Sequence, residues 1–161
     1  MRWKPLTQTN LVVEASRMIA LGDAARDDTA IRAAWSADVG GDLRYDRDNW
    51  PSGRVYVDAV RLLEDEQTFA VADASIGWTW VASRDRKSQV STGVGARADY
   101  DSASLDTLSV AAGPRIGFRR WIGGNDLRAP GRYVDVSVGY DVQIGDGPRD
   151  DGFVAAVTFG F

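Results

Sequence analysis

The last eleven residues, DGFVAAVTFGF, alternate strictly between two faces. Phe153, Ala155, Val157, Phe159 and Phe161 fall on one, and Gly152, Val154, Ala156, Thr158 and Gly160 on the other. An apolar stripe of period two marks a strand with one face in an apolar medium. The same period recurs upstream, where Gly is frequent and β-branched and aromatic residues occupy alternate positions. About eight strands are predicted, separated by turn clusters at the spacing of small barrels.

The first predicted strand covers about 8–21. Leu11, Val13, Ala15, Ile19 and Leu21 share a face that Arg17 interrupts, and a helix over ASRMIAL competes with the strand. The second, about 29–39, sets Ile31, Ala33, Trp35, Ala37 and Val39 against Arg32, Ala34, Ser36 and Asp38. A long polar connection over 40–53 leads to the third, about 54–64, where a β-bulge is expected near Val60–Leu63. The fourth (about 68–82), fifth (about 89–100), sixth (about 107–121) and seventh (about 132–144) alternate in the same way. Pro114 lies on the apolar face of the sixth and cannot donate to a ladder, so a bulge or local break is expected there.

The opposite face carries Glu14, Arg32, Asp58, Asp73, Arg97, Asp99, Arg115, Arg119, Asp135 and Asp141, interleaved with Gly, Ser and Thr. Two barrels satisfy this pattern. A soluble one would hold its apolar faces inside around an apolar ligand. A membrane one would turn them to lipid and enclose the charges. The second reading is favoured. Planar Arg forks suit an enclosed ion-pair network, and the small residues Gly77, Gly93, Gly95, Gly113, Gly117 and Gly139 suit a crowded lumen. Hence the predicted fold is all-β: one domain over 1–161, an antiparallel up-and-down transmembrane β-barrel whose ten charged residues form a structural lumen network.

The two ends differ. The connections GDAARDD, EDEQT, DSASLD and GDGPRDD gather Asp and Glu, while the other set holds most of the Arg. The acidic end has two readings: Asp serving its own turns, or carboxylates shared with divalent cations and lipid phosphates. Trp35, Trp78, Trp80, Phe118, Trp121, Phe159 and Phe161 lie towards the basic end, with Trp50 in the long connection. Phe69, Tyr100, Tyr140 and Phe153 lie towards the acidic end. Two aromatic belts are expected where a lipid slab meets water.

Composition removes several function classes. With no His and no Cys, neither Ser–His–Asp catalysis nor a thiol or Cys-based metal site is available. Asp27/Asp28 and Asp150/Asp151 are adjacent in turns rather than aimed across a cleft, and the Gly-containing fragments GVGAR and GGNDL precede no helix. The net charge of −4 gives no reason to expect nucleic-acid binding, and no run approaches the roughly 18 apolar residues of a membrane-spanning helix. No enzyme activity, cofactor or metal is expected.

The segments QTNLVVEASRMIALGDAARDDTAIRAAWS, GGDLR, Trp50–Pro51 and VYVDAVRLLEDEQTFAVADASIGWTW, with the aromatic closing strand, resemble the C-terminal domain of bacteriophage adsorption protein A (NfrA-type) proteins. The resemblance implies a Gram-negative outer-membrane domain associated with exopolysaccharide secretion, in some cases a phage receptor. It implies the C-terminal part of a longer protein, with a periplasmic repeat region or export components as partners. Outer-membrane lipid and the barrel-assembly machinery are the other expected partners, the latter reading Phe153, Phe159 and Phe161 as an insertion signal.

Overall fold

A computed structural model describes residues 2–3, 10–19, 27–124, 130–145 and 150–160 of the chain. Among them there is no helix. A single sheet runs in chain order through β1 (Arg2–Trp3), β2 (Asn10–Met18), β3 (Asp28–Val39), β4 (Asn49–Leu62), β5 (Thr68–Val81), β6 (Ser88–Asp101), β7 (Leu108–Ile122), β8 (Arg132–Ile144) and β9 (Gly152–Gly160). Every neighbouring pair is antiparallel. The all-β, up-and-down architecture therefore matches the period-two pattern, with β2–β9 as its long strands. Closure is a different matter: among the described residues β9 pairs with β8 alone, and the sheet is open.

Register keeps like faces together. Trp35 lies across from Leu11 and Val57, Ile76 across from Val94, Thr92 across from Ile116, and Val136 across from Phe118 and Val157. A one-residue slip would mix the two faces, so the alternation itself fixes the pairing. The apolar face is the exposed one: Phe153 is 83% exposed and Ile76 69%. The other face turns inward and is the covered one, with Ala111 at 1% and the carboxylate-bearing Asp141 at 5%.

Several local expectations change. The β3–β4 connection is 40–48, not 40–53, because β4 begins at Asn49 and pairs Trp50 and Pro51 with Thr79 and Trp78. The ladders run through Val60–Leu62 without a bulge. At Pro114 the break is one-sided. The β6 ladder is continuous, whereas the β8 ladder skips Gly113 and Pro114 and resumes in the same register at Arg115. A Cβ at Gly113 would overlap the Tyr140 carbonyl oxygen, so glycine permits the close approach that fills this gap. The segment around Arg17 is strand rather than helix, with Arg17 across from Thr29.

Candidate functional site

The inward face collects the charged side chains from β2 to β8 into one belt. Arg32 on β3 reaches Asp58 on β4, with Nη2 to Oδ2 at 2.5 Å, and the Tyr56 hydroxyl donates to the same oxygen at 2.8 Å. Arg97 grips Asp99 two residues along β6, Nη2 to Oδ1 at 2.8 Å. Arg115 on β7 lies 2.5 Å from Asp141 on β8, and Arg119 donates from Nε to Asp135 at 2.8 Å. Asp73 is partnered by Arg54 at 3.4 Å, a residue outside the ten predicted ones. Glu14 stands across from Arg32 in the register. The ten predicted residues thus share a face, and eight of them, Arg32, Asp58, Arg97, Asp99, Arg115, Asp141, Arg119 and Asp135, pair among themselves.

Small residues make room for these heads. A Cβ on Gly95 would sit 3.0 Å from Arg115 Nε, and one on Gly139 would sit 2.6 Å from its Cδ. The Arg115 side chain therefore lies over two glycines on the flanking strands. This is the packing reason for glycine at these two positions, whereas Gly77 and Gly93 instead lie against each other's backbone across β5 and β6.

The basic end is built differently from expectation. Trp50 and Trp121 lie on the inward face, Trp50 at 1% exposure, and are not part of an outer belt. The Trp50 indole donates to the Gly40 carbonyl at 2.8 Å, and Gly40 turns at φ +68°, a conformation that favours glycine. Arg119 spreads over the Tyr133 ring at 4.4 Å and near Trp121 at 5.8 Å, while its Nη1 donates to the Gly41 carbonyl at 2.6 Å. The 40–48 connection is thereby held across the basic mouth of the curled sheet. Phe69 also lies on the inward face, alternating with Val71 and Asp73. Tyr56, Arg54 and Tyr133 were legible only as members of the polar parity; nothing in their spacing marked them as partners of the network.

Outside the wall, Arg120 grips Asp85 through Nη2 at 2.8 Å, Arg86 reaches Asp48 at 2.7 Å, and Lys87 donates to the Gly123 carbonyl at 2.8 Å. Ser83, Arg120 and the Lys87 amide together hold the Asp85 carboxyl well below the usual carboxylate range. At the acidic end, Asp28 is 1% exposed. Its Oδ1 accepts the amides of Leu63 and Glu64 at 3.1 Å, and its Oδ2 that of Asp65 at 3.2 Å. Asp101 accepts from Ala103, and Asp151 from the Gln143 amide. These carboxylates serve neighbouring turns, and no group of three or more acidic side chains among the described residues is placed to hold a metal.

The family model described as Bacteriophage N adsorption protein A C-term matches residues 1–157. The chain belongs to that family. No curated protein and no solved structure matches it. For this adsorption-protein domain the aromatic expectation is then met in part. Trp35, Trp78, Trp80, Phe118 and Phe159 are exposed on the apolar face near the basic end, and Tyr100, Tyr140 and Phe153 near the acidic end. Tyr140 and Phe153 touch edge to face at 5.1 Å. Phe161 lies outside the described residues, as do Asp23, Asp146 and Arg128.

Proposed function

We propose that this adsorption-protein domain is the wall of an outer-membrane β-barrel, a non-enzymatic part of a cell-envelope apparatus for phage adsorption or exopolysaccharide export. The observation that carries the reading is the inverted sheet: large apolar side chains such as Phe153, Ile76 and Phe159 are exposed, while Thr79, Ser109, Ala111 and Asp141 on the opposite face are covered. A soluble barrel around an apolar ligand would need the opposite orientation. The spacing of the aromatics supports the same reading. Trp80 and Ala70, the cross-strand partner of Tyr100, are ten residues apart on β5. At about 3.3 Å per residue and a tilt of about 40–45° the two belts are about 23–25 Å apart, close to the apolar band of about 25 Å on outer-membrane barrels.

Outer-membrane lipid and the barrel-assembly machinery are the partners this reading requires, with a periplasmic repeat domain or export components as the neighbours that family membership suggests. The test is refolding of the 161-residue chain into detergent micelles. A β-rich species that migrates faster unboiled than boiled is expected. A chain that folds as a monomer in buffer without detergent would overturn the reading.

A further inference from the structure

We propose that the basic end of the sheet, along the arc from β5 to β8, is a docking site for the phosphate headgroups of anionic membrane lipids. The proposal rests on the outer-membrane reading. Strand parity decides where the cations project. Arg120 on β7 shares the outward face of Phe118 and Ile122, and Arg132, the first residue of β8, shares that of Val134 and Val136. Arg132 stands directly across from Ile122. Both guanidinium groups therefore leave the wall on its apolar side, next to the strand ends.

The connection between β5 and β6 adds Arg84 and Lys87 to the same arc. It is fixed against β7 from both sides. Lys87 Nζ donates to the Gly123 carbonyl at 2.8 Å, while Arg120 reaches Asp85 at 2.8 Å and Ser88 Oγ at 2.7 Å. Asp85 thus neutralises Arg120, and Asp48 neutralises Arg86 at 2.7 Å. Among the described residues the cationic heads of Arg84, Lys87 and Arg132 have no carboxylate partner. Three positive charges are left over along one short stretch of rim.

The opposite ends of the same four strands show the contrast. Their terminal outward residues are Thr68, Tyr100, Leu108 and Ile144. The adjoining segments 63–67 and 101–107 hold Glu64, Asp65, Glu66, Asp101 and Asp106 without a Lys or Arg. An anionic ligand is attracted at one end and repelled at the other.

The belt beside the cations points to lipid rather than to an anion in free solution. Trp78, Trp80, Phe118 and Ile122 are 40–49% exposed on the outward face. The Trp78 indole donates to Asn49 Oδ1 at 3.1 Å, so its polar edge is turned to the first residue of β4 at the basic end. Arg120 lies two residues past Phe118, about 6–7 Å along the strand. An aromatic belt marks the headgroup level. A long cationic side chain just past it lays its stem on apolar surface and its head among the phosphates. Guanidinium forks match phosphate oxygens bidentately.

Trp78 and Trp80 are natural reporters of this arc. The chain is refolded into phosphatidylcholine vesicles carrying a small fraction of brominated phosphatidylglycerol or, in parallel, of brominated phosphatidylcholine. A Lys or Arg near an anionic surface contributes about a fivefold preference, so tryptophan quenching in the parent chain should favour the anionic lipid by at least about fivefold. With Arg84→Gln, Lys87→Gln and Arg132→Gln combined, the preference should vanish. Arg61→Gln removes an outward cation at the acidic end and should leave it unchanged. Equal quenching by the two lipids in the parent chain overturns the proposal, and so does a preference that survives the triple substitution. Loss of the preference to inorganic phosphate at matched ionic strength overturns it in favour of a site for free phosphate. Unboiled gel mobility keeps the two readings apart. A chain that retains the fast-migrating form without a lipid preference loses only this docking site, whereas one that does not enter vesicles loses the membrane reading and the site with it.

Discussion

Arg119 on β7 donates to the carbonyl oxygen of Gly41, 78 positions earlier in the chain and 2.6 Å away. The same guanidinium is fixed by Asp135 and stacked on Tyr133. One side chain thus ties the far half of the sheet to the connection that follows β3. Because the contact passes over the inward face, it also defines which end of the trough is covered.

Arg119→Ala should free that connection. Hydrogen bonds to a charged group contribute about 1.5–3 kcal/mol, so amides of residues 41–48 should exchange about ten- to a hundredfold faster in the variant. Trp50→Phe keeps the ring but removes the donor to Gly40, and a neutral hydrogen bond of about 0.5–1.5 kcal/mol predicts a smaller effect. Unchanged exchange in Arg119→Ala would show that the connection is held by other contacts.

Asp28 acts in the same way at the opposite end. Asp28→Ala leaves the amides of Glu64 and Asp65 without this acceptor, while that of Leu63 keeps the Thr29 carbonyl, at a cost of about 1–3 kcal/mol for an unsatisfied buried group. Asp28→Asn retains one carbonyl oxygen. Oδ1 takes the amides of Thr29, Leu63 and Glu64 while Oδ2 takes only Asp65, so the amide should restore most of the stability if it presents its oxygen at the Oδ1 position. Urea unfolding in detergent for the two variants checks the order Asp28→Ala below Asp28→Asn below the parent chain.

The strands were legible because period two is visible without any tertiary information. Val134, Val136 and Val138 need no partner to declare their face. The ten charged positions were legible as a face for the same reason. What parity does not encode is which end of a strand an aromatic occupies in depth, or which residues a connection folds back upon. Trp121 reads as a belt residue and Trp50 as part of the long connection, yet both have inward parity, and the Trp50 indole is held by Gly40 at the start of the 40–48 connection. Arg54 stands at the first residue of the third predicted strand, but β4 starts five residues earlier, at Asn49, and places it within the wall beside Asp73. Closure is least legible of all, since an edge looks the same whether it meets its own chain or another.

Glycine substitutions on the inward face should separate by what their new Cβ meets. At Gly113 the obstacle is the Tyr140 backbone carbonyl, which cannot rotate away. At Gly95 it is the Arg115 side chain at 3.0–3.3 Å, which can move by a few tenths of an ångström. Overpacking costs about 1–3 kcal/mol where the surroundings are fixed. Gly113→Ala should therefore fall in that range and Gly95→Ala well below it, measured by unfolding in detergent.

The β5–β6 turn should depend on pH through Asp85. Its folded pKa is depressed by the Ser83 hydroxyl and by Arg120, followed by the Lys87 amide. A depressed carboxyl stabilises the fold fully above its unfolded pKa of about 3.9, and that contribution is lost as pH falls through the lower folded value. Amide resonances of Ser83–Ser88 should therefore stay constant down to about pH 4 and move only below it. In Asp85→Asn the same resonances should be flat across that range. A transition in the parent chain near pH 6 would show that another group governs the turn.

Val94 distinguishes lipid from water around the outward face. It sits in mid-strand on β6, across from Ile76 and Pro114, and is 57% exposed. An exposed site facing water tolerates Arg within about 0.5 kcal/mol, whereas a site at the bilayer midplane resists it by about 2–4 kcal/mol. Val94→Arg refolded into lipid vesicles should accordingly lose stability by the larger amount. Gln89→Arg would not serve as the comparison, because Gln89 is buried on the inward face. Ile122→Arg is the better control: it shares the outward face but lies at the last residue of β7, near the basic rim, where the side chain can reach headgroups. A cost at Val94 with little at Ile122 is the depth dependence that a hydrocarbon slab imposes. Equal and small costs at both would mean that water covers the stripe, and the inverted sheet would then need a protein partner along its whole outward face.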